Sequence, residues 1–363
     1  VTLFSATRIG SLELKNRLVR SATAERLATE PVGRATPELA VLYGELSQGG
    51  VGLIITGHAY VAPAGKAHPE MLSAHCDEMI PGLRMLADAV HAEKGRVAVQ
   101  INHGGRQCDP ASTHAPLAPS AVATPDGRLP TAMTVNQIAE AIEAFAQAAR
   151  RVRQAGFDAV QIHAAHGYLI SQFLSPHTNR RTDGWGGDFE RRLRFLASVC
   201  EAIRGQVGSD YPVFVKLGMM DNLERVPDGL TVEDGARIVA RLGELGLDAV
   251  EVSGGNGGGG DFNTRLAVGS KEPEAYFRSL ASRAKAATHL PVMAVGGFRT
   301  RSVMEDVLSA GDADLISLCR PLIREPDLPA RLQSGEATQA ACISGGRCWP
   351  EGMGQGIGCK CAS

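Results

Sequence analysis

Eight short apolar runs recur along the chain, at Leu18–Ser21, Val51–Thr56, Val97–Ile101, Ala159–Ile162, Val213–Leu217, Ala249–Val252, Pro291–Val295 and Leu315–Leu318. Each is close to continuous in apolar residues. A strand covered on both faces reads this way, whereas a strand with one wet face alternates. Most gaps between the runs carry a longer segment with helical spacing. Thr36 supplies an N-cap for Pro37–Ser47, with proline at the first helical position. Thr134 and Gln137 form a capping-box pattern at the head of Thr134–Ala155. Phe189–Ile203, Thr231–Leu245, Glu272–Ala287 and Arg299–Ser309 are also expected to be helical, with a short helix over Asp327–Gln333.

Eight strands alternating with helices predict an α/β fold, a closed (β/α)8 TIM barrel. The rival is a doubly wound sheet, which places a glycine-rich nucleotide turn after its first strand. The sequence there is Ala22-Thr23-Ala24-Glu25, with no glycine. Residues 1–335 are therefore read as the barrel, and 336–363 as a Cys/Gly-rich C-terminal tail.

Two connections are long. Gly104–Met133 holds Pro110, Pro116, Pro119, Pro125 and Pro130, so it is expected to be ordered without being helical. Gly167–Asp188 follows the fourth strand. Both leave the C-terminal ends of strands, where barrel enzymes keep their chemistry. Gly254–Gly260 is a glycine-rich patch after the sixth strand, expected to be a mobile loop.

Charge narrows the function classes. Lys+Arg number 37 against Asp+Glu 39, and no basic block stands out. Nucleic acid and anionic membrane surfaces thus gain no electrostatic support. No apolar run approaches a membrane span, and the start lacks the charged-then-apolar pattern of a secretory leader. A cytoplasmic protein is the expectation. Of eight cysteines, Cys76, Cys108, Cys200 and Cys319 are scattered and read as free thiols.

The densest cluster of reactive side chains is His163-Ala164-Ala165-His166-Gly167-Tyr168, leaving the fourth strand. Imidazole N–H groups can donate to a substrate oxygen, and two converging on one carbonyl would stabilise developing enolate charge. A tyrosine keeps its proton at neutral pH and can act as a general acid. Buried structural histidines beside a packing tyrosine are the plain alternative. A zinc site is disfavoured because no glutamate or third ligand stands at H-E-x-x-H spacing.

The flanks make the cluster specific. Residues 162–195 read IHAAHGYLISQFLSPHTNRRTDGWGGDFERRLRF. Further segments follow in barrel order: KNRLVRSATAE, GLIITGHAYV, VQINHGGRQ, VFVKLGMMD, VMAVGGF and LISLCRPLIREPDLP. Over the whole chain these resemble the old yellow enzyme family of FMN oxidoreductases, including the barrel portion of bacterial 2,4-dienoyl-CoA reductases and trimethylamine dehydrogenases.

The resemblance implies an FMN-binding barrel with NADH or NADPH as reductant. It places Ser21, Ala22, Thr23, Gly57 and Gln100 against the flavin ring, and Lys216 near its N1 and C2 carbonyl. A cation there favours anionic reduced flavin. Gly296, Gly297, Cys319 and Arg320 fall in the phosphate loops of strands seven and eight. His163 and His166 would hold the carbonyl oxygen of an electron-poor alkene, and Tyr168 would protonate it, in a ping-pong ene-reduction of α,β-unsaturated carbonyls. Dimers or tetramers are usual among relatives, so a homo-oligomer is compatible with the resemblance.

Several positions depart from the family pattern. Trp185 precedes Gly186-Gly187 where tyrosine is common, and Ala24 stands where some relatives carry a flavin-tuning Cys or Thr. Relatives with an iron–sulfur cluster carry C-x2-C-x3-C-x11-C after the barrel. Here Cys342 and Cys361 keep the outer positions, Gly345 and Trp349 replace the inner pair, and Cys348 and Cys359 are off register. This reads as a decayed cluster site, so no metal ligand is assigned.

Two rival functions remain open on sequence. An oxidative flavoenzyme of the amine demethylase type would want an aromatic cage for its cation, and aromatics are only 5% of the chain. A flavin-free barrel lyase would use Lys216 as a Schiff-base nucleophile.

Overall fold

Eight parallel strands close on themselves in the computed structural model, which describes residues 2–257, 262–352 and 354–361. They are β1 (Leu18–Arg20), β2 (Leu53–Ile55), β3 (Val97–Asn102), β4 (Ala159–Ala164), β5 (Val213–Gly218), β6 (Ala249–Ser253), β7 (Val292–Val295) and β8 (Leu315–Leu318). Each pairs with the next in sequence, and β8 pairs with β1 to seal the ring. The fold is a (β/α)8 barrel.

Around it run α1 (Pro37–Gln48), α2 (Ile80–Ala92), α3 (Val135–Gln154), α4 (Phe189–Val207), α5 (Val232–Arg241), α6 (Arg278–Ala287), α7 (Arg301–Ser309) and α8 (Leu328–Ser334). The capping box before α3 is present, with Gln137 N–H donating to Thr134 Oγ1 at 3.2 Å and Thr134 N–H to Gln137 Oε1 at 2.9 Å. Helix α3 buries Ile138, Ala141, Phe145, Ala149 and Val152, one stripe of a 3.6-residue period.

Three expectations need correction. Helix α2 was absent from the sequence reading, although its buried Leu83, Leu86, Ala87 and Val90 have helical spacing. Its start carries a proline, Pro81, but a 3₁₀ turn at Asp77–Met79 stands where a side-chain cap would mark it. Helix α6 begins at Arg278, not Glu272, because Ala275 has φ +56°, outside the helical region. Helix α5 stops at Arg241, and turns carry the chain to Leu247. Three of the seven residues of the glycine patch expected to be mobile, 258–260, lie outside the described residues.

Inward side chains alternate along the strands and form two unlike layers. The lower is apolar: Val19, Leu53, Ile55, Ala98, Ala159, Phe214, Ala249, Met293 and Leu315 pack together. An antiparallel hairpin, Thr7–Ile9 with Leu12–Leu14, closes this end by adding Ile9, Leu12 and Leu14 to the same cluster. Two residues further along the strands, the lining turns polar.

Candidate active site

At that second level the strands present Gln100, Gln161, Lys216, Glu251 and Ser317, all buried. The amide of Gln100 donates to Gln161 Oε1 at 2.7 Å, and Gln161 Nε2 donates to Glu251 Oε2 at 2.9 Å. Lys216 Nζ lies 3.3 Å from that same carboxylate oxygen and donates to Ser21 Oγ at 2.7 Å. Burial alone would push the Glu251 carboxyl up, but Lys216 and the hydrogen bonds to Ser21 and Gln161 outweigh it and hold the carboxyl low. The layer is thus a charged pair tied into an amide chain. Glu251 Oε1 and Ser317 Oγ, both buried, have no hydrogen-bond partner among the described residues.

Above this layer opens a cavity of about 330 Å³, within the range of small-ligand pockets. Its floor includes Gln100, Lys216 and Ser317. One wall is Ser21, Ala22, Thr23 and Ala24, and the opposite rim carries His163, His166 and Tyr168. The loop after β1 is fixed by a buried ion pair, Arg20 Nη2 to Glu25 Oε1 at 3.0 Å. Arg20 Nη1 also donates to the Ser21 carbonyl at 2.5 Å. Thr23 Oγ1 meets Cys319 Sγ at 2.8 Å, bridging the β1 and β8 ends.

Strand β4 and the turn after it set the rim. His163 Nδ1 accepts from the Ala165 N–H at 3.3 Å, which leaves the proton of the neutral ring on Nε2. His166 takes φ +60°, a left-handed turn that brings its Nε2 within 2.8 Å of Ser253 Oγ. Tyr168 caps the short helix Leu169–Leu174 and sets its ring edge-on to His163, centroids 4.8 Å apart. Burial, then His166, His58 and Lys216, hold His163 well below the usual imidazole range. Burial and the Lys216 and His58 charges bring His166 down to about 3. Burial and Cys108 push Tyr168 up to about 12. At neutral pH the rim therefore offers two uncharged imidazoles and a protonated phenol.

Not every sequence-derived residue reaches the cavity. Gly297, Cys319 and Arg320 line it, but Gly57 and Gly296 do not. The Gly57 N–H is taken by Glu25 Oε1 at 3.2 Å, and a Cβ there would lie 1.9 Å from Glu25 Oε2. Its glycine is needed for the β1–β2 packing, and the next residue, His58, faces the cavity instead. Gly296 receives the Tyr276 N–H on its carbonyl at 3.0 Å, behind the lining.

Sequence reading also passed over His58, Ser253, Glu251 and Gln161. For the last two a signal existed: a carboxylate and an amide inside otherwise apolar strands have to face something polar. For His58 none did, since it stands two residues beyond its strand's apolar run.

The tail returns to the site. Ser344 and Trp349 line the cavity, and Arg320 Nη1 donates to the Ser344 carbonyl at 3.1 Å. Beyond, the Ile357 N–H bonds the Glu25 carbonyl at 2.9 Å, and the Gly354 N–H bonds Glu70 Oε1. A Cβ on Gly345 would lie 2.9 Å from Cys361 Sγ, so the position of the missing second cysteine still adjoins the last one. All eight cysteines are free, and among the described residues no three ligating side chains gather into a metal-holding group.

Comparison with known proteins follows the same lines. The family described as NADH:flavin oxidoreductase / NADH oxidase matches residues 2–339. A metal reductase of Desulforamulus reducens is 37% identical over 340 residues, 93% of this chain and 49% of that protein. An NADH oxidase of Thermoanaerobacter brockii is 37% identical over 347 residues, 94% of this chain and 52% of the other. The structure of a 2-naphthoyl-CoA reductase bound to 2-naphthoyl-CoA superposes with a TM-score of 0.86 at 28% identity, covering 93% of this chain and 53% of that one. The chain belongs to the NADH:flavin oxidoreductase / NADH oxidase family. It spans about half the length of these curated relatives.

Proposed function

We propose that the chain is an FMN-dependent ene-reductase, using NADH or NADPH to reduce the C=C bond of α,β-unsaturated carbonyl compounds. The observation that carries this is the rim: two neutral imidazoles and a protonated phenol facing one cavity, above a buried lysine.

The cavity suits FMN. Lys216 Nζ and Gln100 offer donors to the ring's carbonyl and N1 edge, and the buried Ser317 hydroxyl lacks a partner among the described residues. Ser21, Ala22 and Thr23 would flank the ring. Gly297 and Arg320 would receive the phosphate, and a Cβ on Gly297 would crowd Tyr276 and Val268 at 2.9 Å. When bound, FMN supplies a two-electron relay between nicotinamide and alkene.

The remaining work falls to side chains. His163 Nε2–H donates to the substrate carbonyl oxygen, joined by His166 from the turn, where Ser253 can donate to Nε2 and leave the proton on Nδ1. Being neutral, both polarise the carbonyl without giving up a proton. Tyr168 is the one acid of the three placed to protonate carbon. Its hydroxyl has no hydrogen-bond partner among the described residues, so its proton is available to the cavity. Residues 336–363 are proposed to be an appendage of the barrel that finishes the cavity wall.

The purified protein should show an oxidised-flavin spectrum that bleaches anaerobically with NAD(P)H and returns on adding 2-cyclohexenone. Bleaching without return would exclude the ene-reductase reading while keeping the flavoenzyme. A colourless protein that FMN does not reconstitute would remove the cofactor itself.

A further inference from the structure

We propose that the wall beyond His58 is a subsite for a carboxylate carried on the alkene substrate, with Arg26 as its counter-charge, so that 4-oxo-2-enoates are preferred over neutral enones. This rests on the ene-reductase reading for the reaction, though not for the binding.

Arg26 is unusual among the cations of this chain. Among the described residues, every other lysine or arginine that is not exposed pairs with a carboxylate or donates to a protein oxygen. Arg26 is half-buried and does neither. Partly desolvating a guanidinium without a partner is costly, and such cations are normally matched by an anion. The backbone directs it there: residue 26 has φ +53°, a left-handed turn that non-glycine residues seldom take.

The surroundings point to a ligand as well. Arg26 lines a small second cavity with His58, His68 and Ala24, and of these His58 and Ala24 also line the main one. His68 is 8% exposed, yet neither of its ring nitrogens has a hydrogen-bond partner among the described residues. Its ring lies 5.3 Å from that of His58, which lies 5.3 Å from Tyr168 on the other side. Asn102 Nδ2 bonds His58 Nδ1 at 2.9 Å, leaving the other ring nitrogen as the potential donor. Arg26 is also close enough to help depress His58, after burial, to about 4.

Two carboxylates line the same small cavity, Glu25 and Glu70, but neither is paired with Arg26. Glu25 is held by Arg20 and the Gly57 N–H, and Glu70 by the Gly354 N–H. The small cavity is about 10 Å³, room for a single water. The proposed carboxylate would therefore sit in the main cavity against the wall formed by His58 and Ala24, with Arg26, which lines only the small cavity behind that wall, as its counter-charge across it. The His163 and His58 ring centroids are 6.0 Å apart. A carbonyl oxygen at the first and a carboxylate at the second are separated by about the length of a 4-oxo-2-enoate.

The test uses the FMN holoenzyme. Binding of 4-oxopentanoate and of its methyl ester, neither of which has an alkene to reduce, is followed through the flavin absorbance. The acid should bind at least tenfold tighter than the ester. In Arg26→Met that ratio should fall toward one, and Arg26→Lys should keep part of it. Equal binding of acid and ester by the unaltered protein, or a ratio unmoved in Arg26→Met with full FMN content, overturns the subsite. Reduction of 4-oxo-2-pentenoate is measured alongside. A binding preference that depends on Arg26 without reduction of any alkene would sink the ene-reductase reading and leave the subsite standing.

Discussion

Tyr168 is positioned by rings instead of by a hydrogen bond. His163 and His58 abut it, and its hydroxyl is left to the cavity. Tyr168→Phe keeps those contacts and removes only the proton. Alkene reduction should slow by about 10²- to 10⁴-fold, the usual worth of a general acid. Flavin reduction by the nicotinamide should change little, and stopped-flow measurement of the two half-reactions separates them. Equal loss in both would mean that the phenol is not the acid. Glu251 presents a second residue-level case. Its carboxylate offsets the Lys216 charge beneath the proposed ring position. Glu251→Gln would leave that cation less compensated, so a bound flavin should be easier to reduce. Its midpoint potential should rise, and an unchanged or lower value would show that the pair does not act on the flavin. The electrostatic sign follows from distance and charge alone.

Among the elements, the N-terminal hairpin does the most with the fewest residues. Ile9 and Leu14 are almost fully buried, under the lower layer of the barrel. Ile9→Ala should cost about 2–5 kcal/mol, the range for truncating a buried aliphatic side chain. Urea unfolding followed by circular dichroism would measure it, and a loss under about 0.5 kcal/mol would show that the hairpin is only a surface ornament. This plug was not legible from the sequence. Its strands are three residues each, too short for a periodic signal. The barrel strands were legible because both of their faces are covered, which leaves unbroken apolar runs. Helix α2 carried its period and a first-turn proline but no side-chain cap, so its start was only weakly marked. The same division holds in the site. His163, His166 and Tyr168 are adjacent in sequence and announced themselves together. His58 joins them only because β2 and β4 end at the same rim, and that meeting is a product of barrel closure. The family motifs supplied Lys216, while its partner Glu251 came from the strand next door, through a lateral contact that no local window contains.

Across the molecule, the interior holds imidazoles that burial keeps neutral. His58 and His103 are each brought down to about 4 by burial, with Arg26 and Lys216 adding to the effect on His58, and His166 is brought down to about 3. In the unfolded chain such groups titrate near 6.5. As pH falls through about 6.5 the unfolded state therefore takes up protons that the folded state refuses, down to about 4. Unfolding then gains from every proton, and stability is lost across that window. Each such histidine removes about 1.4 kcal/mol per pH unit, so two of them remove about 3 kcal/mol by pH 5.5. Surface carboxylates held low by arginines, such as Asp77 and Asp183, act only at lower pH, as they begin to protonate. Glu25 and Asp221, whose carboxyls burial pushes up, work in the opposite direction. Between pH 6.5 and 5 the depressed imidazoles, His58, His103 and His166, outnumber these two raised carboxyls, so the expected sign is a loss of stability as pH falls. Urea midpoints measured at half-unit steps should fall steadily over that range. His103 lies outside the cavity lining, and among the described residues its ring accepts only the Gly105 N–H, at 3.1 Å. His103→Gln should reduce the slope by about one proton, whatever it does to stability at pH 7. A flat profile from pH 7 to 5, or an unchanged slope in the variant, would mean that these rings are protonated in the folded state, and the neutral donors proposed at the rim would have to be abandoned with them.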